Sequence, residues 1–337
     1  MKLEIQIKEN NNLEEIKTKF NIINNYLIVD TILDEILIII NYLIENKIKI
    51  FINFDNYLIM DERRNYLKLI QYLIENNIEI NINYKLIFHE SCIFNNLFII
   101  KYLIENNFCN VNINDEYGIR QCAELGHLEI IKYLVENGAD IHNNDEYCLK
   151  ISCKYGHLEV VKYLIEKGAN IHNDYDHALR ITSENGHLDV MKYLIEKGAN
   201  FNDYKNLLLK IACINNHINI VKYLINKKAN IHINNDYCLR VSIQNNNHKI
   251  IKILIKNNAD LTILDKVQIL KILNSNNFKL IIDNYKIKND INYYLDNINN
   301  ENKEFFISYY YHKLNKKLND NLKKELILKS KIKNYLN

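Results

Sequence analysis

The chain has 337 residues, 48% of them hydrophobic, and a formal net charge of +2. That length exceeds the ~250–300 residues at which a single core stops growing, unless the fold is a stack whose units bury surface only against their neighbours. The near-neutral balance excludes a strong overall pull toward nucleic acid or an anionic membrane, and the lack of proline and tryptophan with only seven glycines reads as AT-rich coding bias rather than disorder, because the aliphatic residues keep a regular period.

The opening MKLEIQIKENNN lacks the apolar core of a signal peptide. Residues 1–30 are expected to form a helical N-terminal cap, and the chain is expected in the cytoplasm. The most apolar run, ILIIINYLI (36–44), follows Asp34 and Glu35 and is far shorter than the ~20 residues needed to span a bilayer. It reads as a core helix.

From there one segment returns. NYLIEN begins at Asn41, QYLIEN at Gln71, KYLIEN at Lys101, KYLVEN at Lys132, KYLIEK at Lys162 and Lys192, KYLINK at Lys222 and KILIKN at Lys252. The step is 30 residues, except for 31 between Lys101 and Lys132, where a loop near FCN (108–110) takes up the extra residue. Eight copies at fixed spacing mark a solenoid over 31–261.

Each unit carries two helical patterns, so the expected class is all-α, with about eight helix pairs. In LEVVKYLIEK, Leu158, Val161, Leu164 and Ile165 share one apolar face. Gly168 stands where a left-handed residue ends the helix, and Asn77, Asn107, Lys228 and Asn258 take that place in outer units. The first helix is shorter, with Leu149 and Leu179 as anchors, and the small residues Ser152, Cys153, Thr182, Ser183, Ala212 and Cys213 let helices approach closely. Asp145 and Asp174 read as N-caps. A basic row (Arg120, Lys150, Arg180, Lys210, Arg240) follows by four residues the row Glu116, Glu146, Asp176, Asn206, Asp236, which predicts local ion pairs.

Residues 262–337 read as a degenerate repeat and a helical C-terminal tail. From Glu301 onward nine lysines stand against four acids.

These residues resemble the ankyrin repeat. The second-helix pattern of that family, Gly-His-Leu-x-x-Val-x-x-Leu-Leu-x-x-Gly-Ala-Asn/Asp, stands almost letter for letter at 156–170. The usual unit has 33 residues. The deficit falls between Ala169 and Leu179, so the projecting hairpins are expected as shortened or plain loops at 140–146, 170–176 and 200–206. The 30-residue unit with Leu-Arg at 179–180 is similar to ankyrin proteins of giant DNA viruses of amoebae (mimivirus-like).

The recurring histidines (His127, His157, His187, His217) cannot converge on one metal, because repeat-related residues sit about 8–10 Å apart. They read as helix-start residues bonding to the neighbouring loop. The cysteines read as small core residues, and the tyrosines Tyr42, Tyr72, Tyr102, Tyr133, Tyr163, Tyr193 and Tyr223 as buried rings with hydroxyls at the rim. No catalytic, cofactor or metal site is expected.

The resemblance implies a non-enzymatic, monomeric module that binds a protein on its concave face, a host protein if the chain is viral. No small-molecule substrate, nucleic acid or membrane is expected as partner. The first helix varies at its exposed end, which makes Glu124, Leu125, Lys154, Tyr155, Glu184, Asn185, Asn215 and Asn216 the candidate contact residues. The alternative is a substrate adaptor that recruits a ubiquitin ligase through the tail at 262–337.

Overall fold

Strict alternation in KLEIQIK (2–8) is a period-2 pattern, and period 2 makes a strand. The computed structural model describes residues 2–8, 26–30, 33–45, 49–53, 63–274 and 291–299, with Lys303 and Phe306. Its N-terminal part is a four-stranded sheet of β1 (Lys2–Lys8), β2 (Tyr26–Asp30), β3 (Lys49–Asn53) and β4 (Glu79–Asn81) in the order β2-β1-β3-β4. β1 runs antiparallel to β2 and β3, with Ile5 opposite Ile52 and both fully buried. β3 and β4 are parallel, joined across α2 (Arg63–Glu75), as a parallel pair requires a crossover connection. The helical N-terminal end expected for 1–30 is thus corrected at residues 2–8 and 26–30, which are strands. The copies at Asn41 and Gln71 lie in the single helices α1 (Leu33–Glu45) and α2, which lead to strands rather than to helix pairs.

Helix pairs begin at Tyr84. The chain divides into two compact units, Met1–Asn170 and Ile171–Asn337. The first holds α3 (Tyr84–Ile93) with α4 (Leu97–Glu105), α5 (Ile113–Leu125) with α6 (Leu128–Glu136), and α7 (Asn143–Tyr155) with α8 (Leu158–Glu166). The second holds α9 (Asn173–Asn185) with α10 (Leu188–Glu196), α11 (Phe201–Ile214) with α12 (Ile218–Asn226), and α13 (Ile233–Gln244) with α14 (His248–Lys256). α15 (Lys266–Leu273), opened by a capping box of Asp265 and Gln268, and α16 (Ile291–Asn297) follow. The described residues therefore show six helix pairs where eight were expected. The repeat region itself is an all-α solenoid.

Stacking buries the second helices. In α8 the fully covered positions are Val160, Val161 and Leu164, while Leu158 and Ile165 are half-buried. The inner face is thus centred one residue away from the face expected. Each such side chain contributes roughly 1.5–3 kcal/mol by leaving water. The small residues Ser152, Cys153, Thr182, Ser183, Ala212 and Cys213 are all buried between helices. Ser152 donates to the Ala123 carbonyl at 3.1 Å and Ser183 to the Leu208 carbonyl at 2.8 Å, so even the polar ones are satisfied.

The turns after the second helices use left-handed backbone. Gly138, Gly168 and Gly198 have φ of 94°, 101° and 101°, and Asn77, Asn107, Lys228 and Asn258 hold φ of 56°, 58°, 63° and 67°. Gly126, after α5, is required twice over. Its φ is 78°, and a Cβ there would lie 2.6 Å from the ring of His157.

No hairpin strand occurs in the described loops at 140–146 and 171–176. The backbone instead makes a turn of reversed hand. Asn144, Asp145 and Glu146 have φ of 51°, 55° and 61°, and Asp174, Tyr175 and Asp176 have 50°, 54° and 54°. Asp145 and Asp174 lie inside these turns and make no N-cap bond, which corrects their expected role. At 201–206 there is no loop, because α11 starts at Phe201. Beyond Asn299 only Lys303 and Phe306 are described, so the expected lysine-rich helix and the adaptor reading fall largely outside the described residues.

Candidate interaction surface

The expected contact residues stand where the first helices end. Each helix closes on a left-handed residue and hands its last carbonyls to the next repeat. His127 Nδ1 donates to the Cys92 carbonyl at 2.8 Å, and His157 Nε2 to the Glu124 carbonyl at 2.8 Å. His217 Nε2 donates to the Glu184 carbonyl at 2.7 Å. These histidines thus bond the last turn of the preceding repeat's first helix, not a loop as expected. Burial holds the His127 imidazole below its ordinary pKa, which favours the neutral ring.

Fixing the backbone this way leaves the adjacent side chains outward. In the first unit Leu125 is 40% exposed and Tyr155 45% exposed. The Lys154 ammonium lies 5.3 Å from the Tyr155 ring centre, and that ring stacks 6.3 Å from the His157 ring. Tyr155 thus has a cation and an imidazole near its ring while 45% of it stays exposed. Glu124 is half-buried.

In the second unit Glu184 is exposed, but Asn185 donates its amide to the Ile181 carbonyl at 2.9 Å and is half-buried. Asn215 likewise bonds the Ile211 carbonyl at 3.1 Å. Asn216 has φ of 61° and occupies the place of Gly126, Gly156 and Gly186, so it is a turn residue and not a partner of Asn185. The residue that matches Lys154 is Ile214, 41% exposed. Aligning on the turn glycines rather than on the variable pairs would have found it.

The acid row is buried, and its partners differ from those expected. Glu116, Glu146, Asp176 and Asp236 are all under 6% exposed. His142 Nδ1 meets Glu146 Oε1 at 2.7 Å, His172 Nδ1 meets Asp176 Oδ1 at 2.8 Å, and His232 Nδ1 meets both Asp236 oxygens at 3.1 Å. Three of the four acids also reach the next loop. Glu116 accepts from the Asp140 N–H at 3.3 Å, Asp236 from the Asp260 N–H at 3.1 Å, and Asp176 from the Asn200 amide at 2.7 Å. The bond to Glu146 raises the His142 pKa, and burial raises that of Glu116.

The arginines bind carbonyls exposed by the reversed turns. Arg180 Nη2 donates to the Asp174 carbonyl at 2.7 Å, and Arg240 donates to the Asn234 and Asn235 carbonyls at 2.9 and 3.0 Å. For Arg180 and Arg240 the predicted pairing with the acid four residues before is therefore replaced by cation-to-turn bonds.

The other recurring side chains are structural. Cys92, Cys122, Cys148, Cys153, Cys213 and Cys238 are buried thiols. Burial pushes Cys148 up to about 12 and half-buried Cys109 up to about 11, so neither supplies a thiolate near neutral pH. The tyrosine rings are half-buried rather than enclosed. Lys101 lies 5.4 Å over Tyr133, and Lys192 lies 5.9 Å over Tyr223. Among the described residues no group of three or more His, Cys, Asp or Glu is placed to hold a metal ion, and no helix is long and apolar enough to cross a membrane.

The match to a family model agrees with this architecture. A model of ankyrin repeats (3 copies) matches residues 58–145, 119–205 and 203–265. The human ASB11 ankyrin repeat domain, a crystal structure, is 25% identical, with a TM-score of 0.44 over 52% of this chain and 84% of that one. No curated protein matches the chain. Matched over 58–265, more than half its length, this chain belongs to the ankyrin repeat family, whose repeats form generally non-enzymatic protein–protein interaction modules.

Proposed function

We propose that the chain captures a protein partner on the first-helix ends, with Leu125, Lys154 and Tyr155 at the centre of the contact. The observation that supports this is the Tyr155 ring, 45% exposed with Lys154 and His157 near it, one repeat from the exposed Leu125. Everything around it repeats almost unchanged, while these positions vary. A large ring loses little entropy on burial, which suits the anchor of an interface. In this reading the protein works as a cytoplasmic monomer. Its 30-residue unit and AT-rich residue bias support a host protein as partner of a viral chain.

The test is the double change Lys154→Glu with Tyr155→Ala. Both side chains are exposed, so stability should shift by only about 0.5 kcal/mol. Partner capture in pull-down should weaken at least ~tenfold, about 1.4 kcal/mol. Undiminished capture by a variant with an unchanged melting temperature would remove this surface.

A further inference from the structure

The exposed faces of the second helices change sign along the chain. α6 (LEIIKYLVE), α8 (LEVVKYLIE) and α10 (LDVMKYLIE) each carry two acids and one lysine. In α12 (INIVKYLIN) both acid positions are asparagine, Asn219 and Asn226, and in α14 (HKIIKILIK) both are lysine, Lys249 and Lys256. With the turns that follow them, α12 and α14 present Lys222, Lys227, Lys228, Lys249, Lys252 and Lys256, all exposed. These two helices contain no acid, and none of the six lysines has a carboxylate within ion-pair range among the described residues.

The lost acids had a defined job. In α6 Glu129 Oε1 holds the Lys132 ammonium at 2.7 Å, and in α8 Glu159 holds Lys162 at 2.7 Å. At the same place in α12, Asn219 leaves Lys222 without that carboxylate. Lys249 of the next helix adds a second cation. Between them lies a cleft of about 430 Å³, lined by Gly186, His217, Asn219, Lys222 and Lys249 among others.

We propose that this lysine face, with its cleft, is a docking surface for an acidic polypeptide segment, whose carboxylates take in trans the positions that Glu129 and Glu159 fill in cis. The proposal rests on the reading of the chain as a protein-interaction module, but it uses a different surface from Tyr155. Three observations favour a polypeptide over other polyanions. In α6 and α8, two of the three acid-bearing repeats, a carboxylate is the group this lysine position receives. α12 and α14 contain no arginine, and His248 is the single exposed ring on them for bases to stack on. No large exposed apolar residue is present there to enter a bilayer.

The experiment is fluorescence anisotropy of the full chain with a labelled glutamate-rich peptide, set beside oligothymidylate and phosphatidylserine vesicles. Wild type should bind the peptide most tightly, and added salt should weaken that binding because the lysines are solvent-exposed. The triple change Lys222→Glu, Lys249→Glu, Lys252→Glu should weaken peptide binding at least ~tenfold, and the milder Lys→Gln triple, which adds no repulsion, at least ~threefold. Lys132→Glu, Lys162→Glu, Lys192→Glu changes net charge equally and should cost less than ~threefold. Equal losses in the two Glu sets would reduce the effect to net charge and overturn the proposal. Unchanged binding in a folded Gln triple would also overturn it, as would tighter binding of oligonucleotide or vesicle than of peptide. Lys154→Glu with Tyr155→Ala should bind the glutamate peptide as wild type does, so failure of the Tyr155 surface and failure of this one are separately visible.

Discussion

Two neighbouring repeats of the second unit solve the same problem with opposite backbones. The segments IHNDYDHALR (Ile171 to Arg180) and FNDYKNLLLK (Phe201 to Lys210) match position for position. The first reverses hand at Asp174, Tyr175 and Asp176 before its helix runs on, whereas α11 is helical from Phe201 through Ile214. The difference follows one buried residue. Where the chain has an acid (Glu116, Glu146, Asp176, Asp236), that residue has φ between 48° and 62°, and where it has Asn206 the helix is regular. His172 is not the deciding partner, because Glu116 is left-handed with Asn112 four residues before it. A buried carboxylate must have donors for its charge, and the reversed turn aims it at His172 and Asn200. A neutral amide is cheaper to bury. Asn206 needs only the Asn230 N–H at 2.7 Å. The arginine completes the pattern, since the reversed turn frees carbonyls that α11 spends on its own ladder.

The largest way to break this comparison is to remove the acid. Asp176 is 0% exposed and bonds both His172 and Asn200. Asp176→Ala leaves those donors without their acceptor and a reversed turn without support, so it should cost about 3 kcal/mol. Asn206→Ala removes one half-buried bond and should cost about 1 kcal/mol. Urea titrations followed by circular dichroism measure both. Equal losses would show that the carboxylate is no more committed than the amide.

The sequence showed the helix pairs from Tyr84 onward because their apolar faces recur every 30 residues, and it showed the turn positions because Gly, Asn and Lys228 stand in a row. The histidine bonds to a neighbouring repeat were legible for the same reason. The reversed turns were not. Local propensity assigns almost no weight to three consecutive left-handed residues without glycine, and only the three-dimensional environment of the acid makes that state favourable. The N-terminal sheet was visible as alternation in KLEIQIK but was hidden by the strength of the NYLIEN repeat signal. Among the candidate contact residues, the exposure of Tyr155 and Leu125 could be read directly. Ile214 could not, because the pair Asn215-Asn216 was aligned one residue late.

A smaller effect carries opposite signs in the two repeats. Tyr175 holds φ of 54° with its ring 77% exposed, so its Cβ strain is offset by little packing. Tyr175→Gly should therefore stabilise by about 1 kcal/mol. Lys205, the matching residue, lies inside the regular helix α11, and Lys205→Gly should destabilise by about 0.7 kcal/mol. The pair of melting curves is decisive through its signs. Two losses would mean that the turn at Tyr175 is not strained.

The smallest effect is set by pH and sharpens the role of the histidine. His142 has its pKa raised, first by the hydrogen bond to Glu146, with Glu146 and Asp140 charge adding to it and burial opposing it. A folded pKa above the unfolded one means that folding takes up protons as the pH approaches it. The stability from this pair is therefore fully present below about pH 6.5, the ordinary value for histidine, and is lost as pH rises through the raised value. The imidazole is half exposed, with a side-chain exposure of 53%, so solvent screens much of the gain. His142→Asn copies the residue that stands at this place in the neighbouring repeats, Asn112 and Asn202, of which Asn112 already precedes a left-handed acid. The turn should thus survive the change while its proton linkage disappears. The measurement is the urea midpoint of wild type minus that of His142→Asn, followed from mildly acidic to mildly basic pH. The difference should be positive in acid and shrink steadily through neutrality, and a difference that stays flat would show that the histidine serves the reversed turn by shape alone.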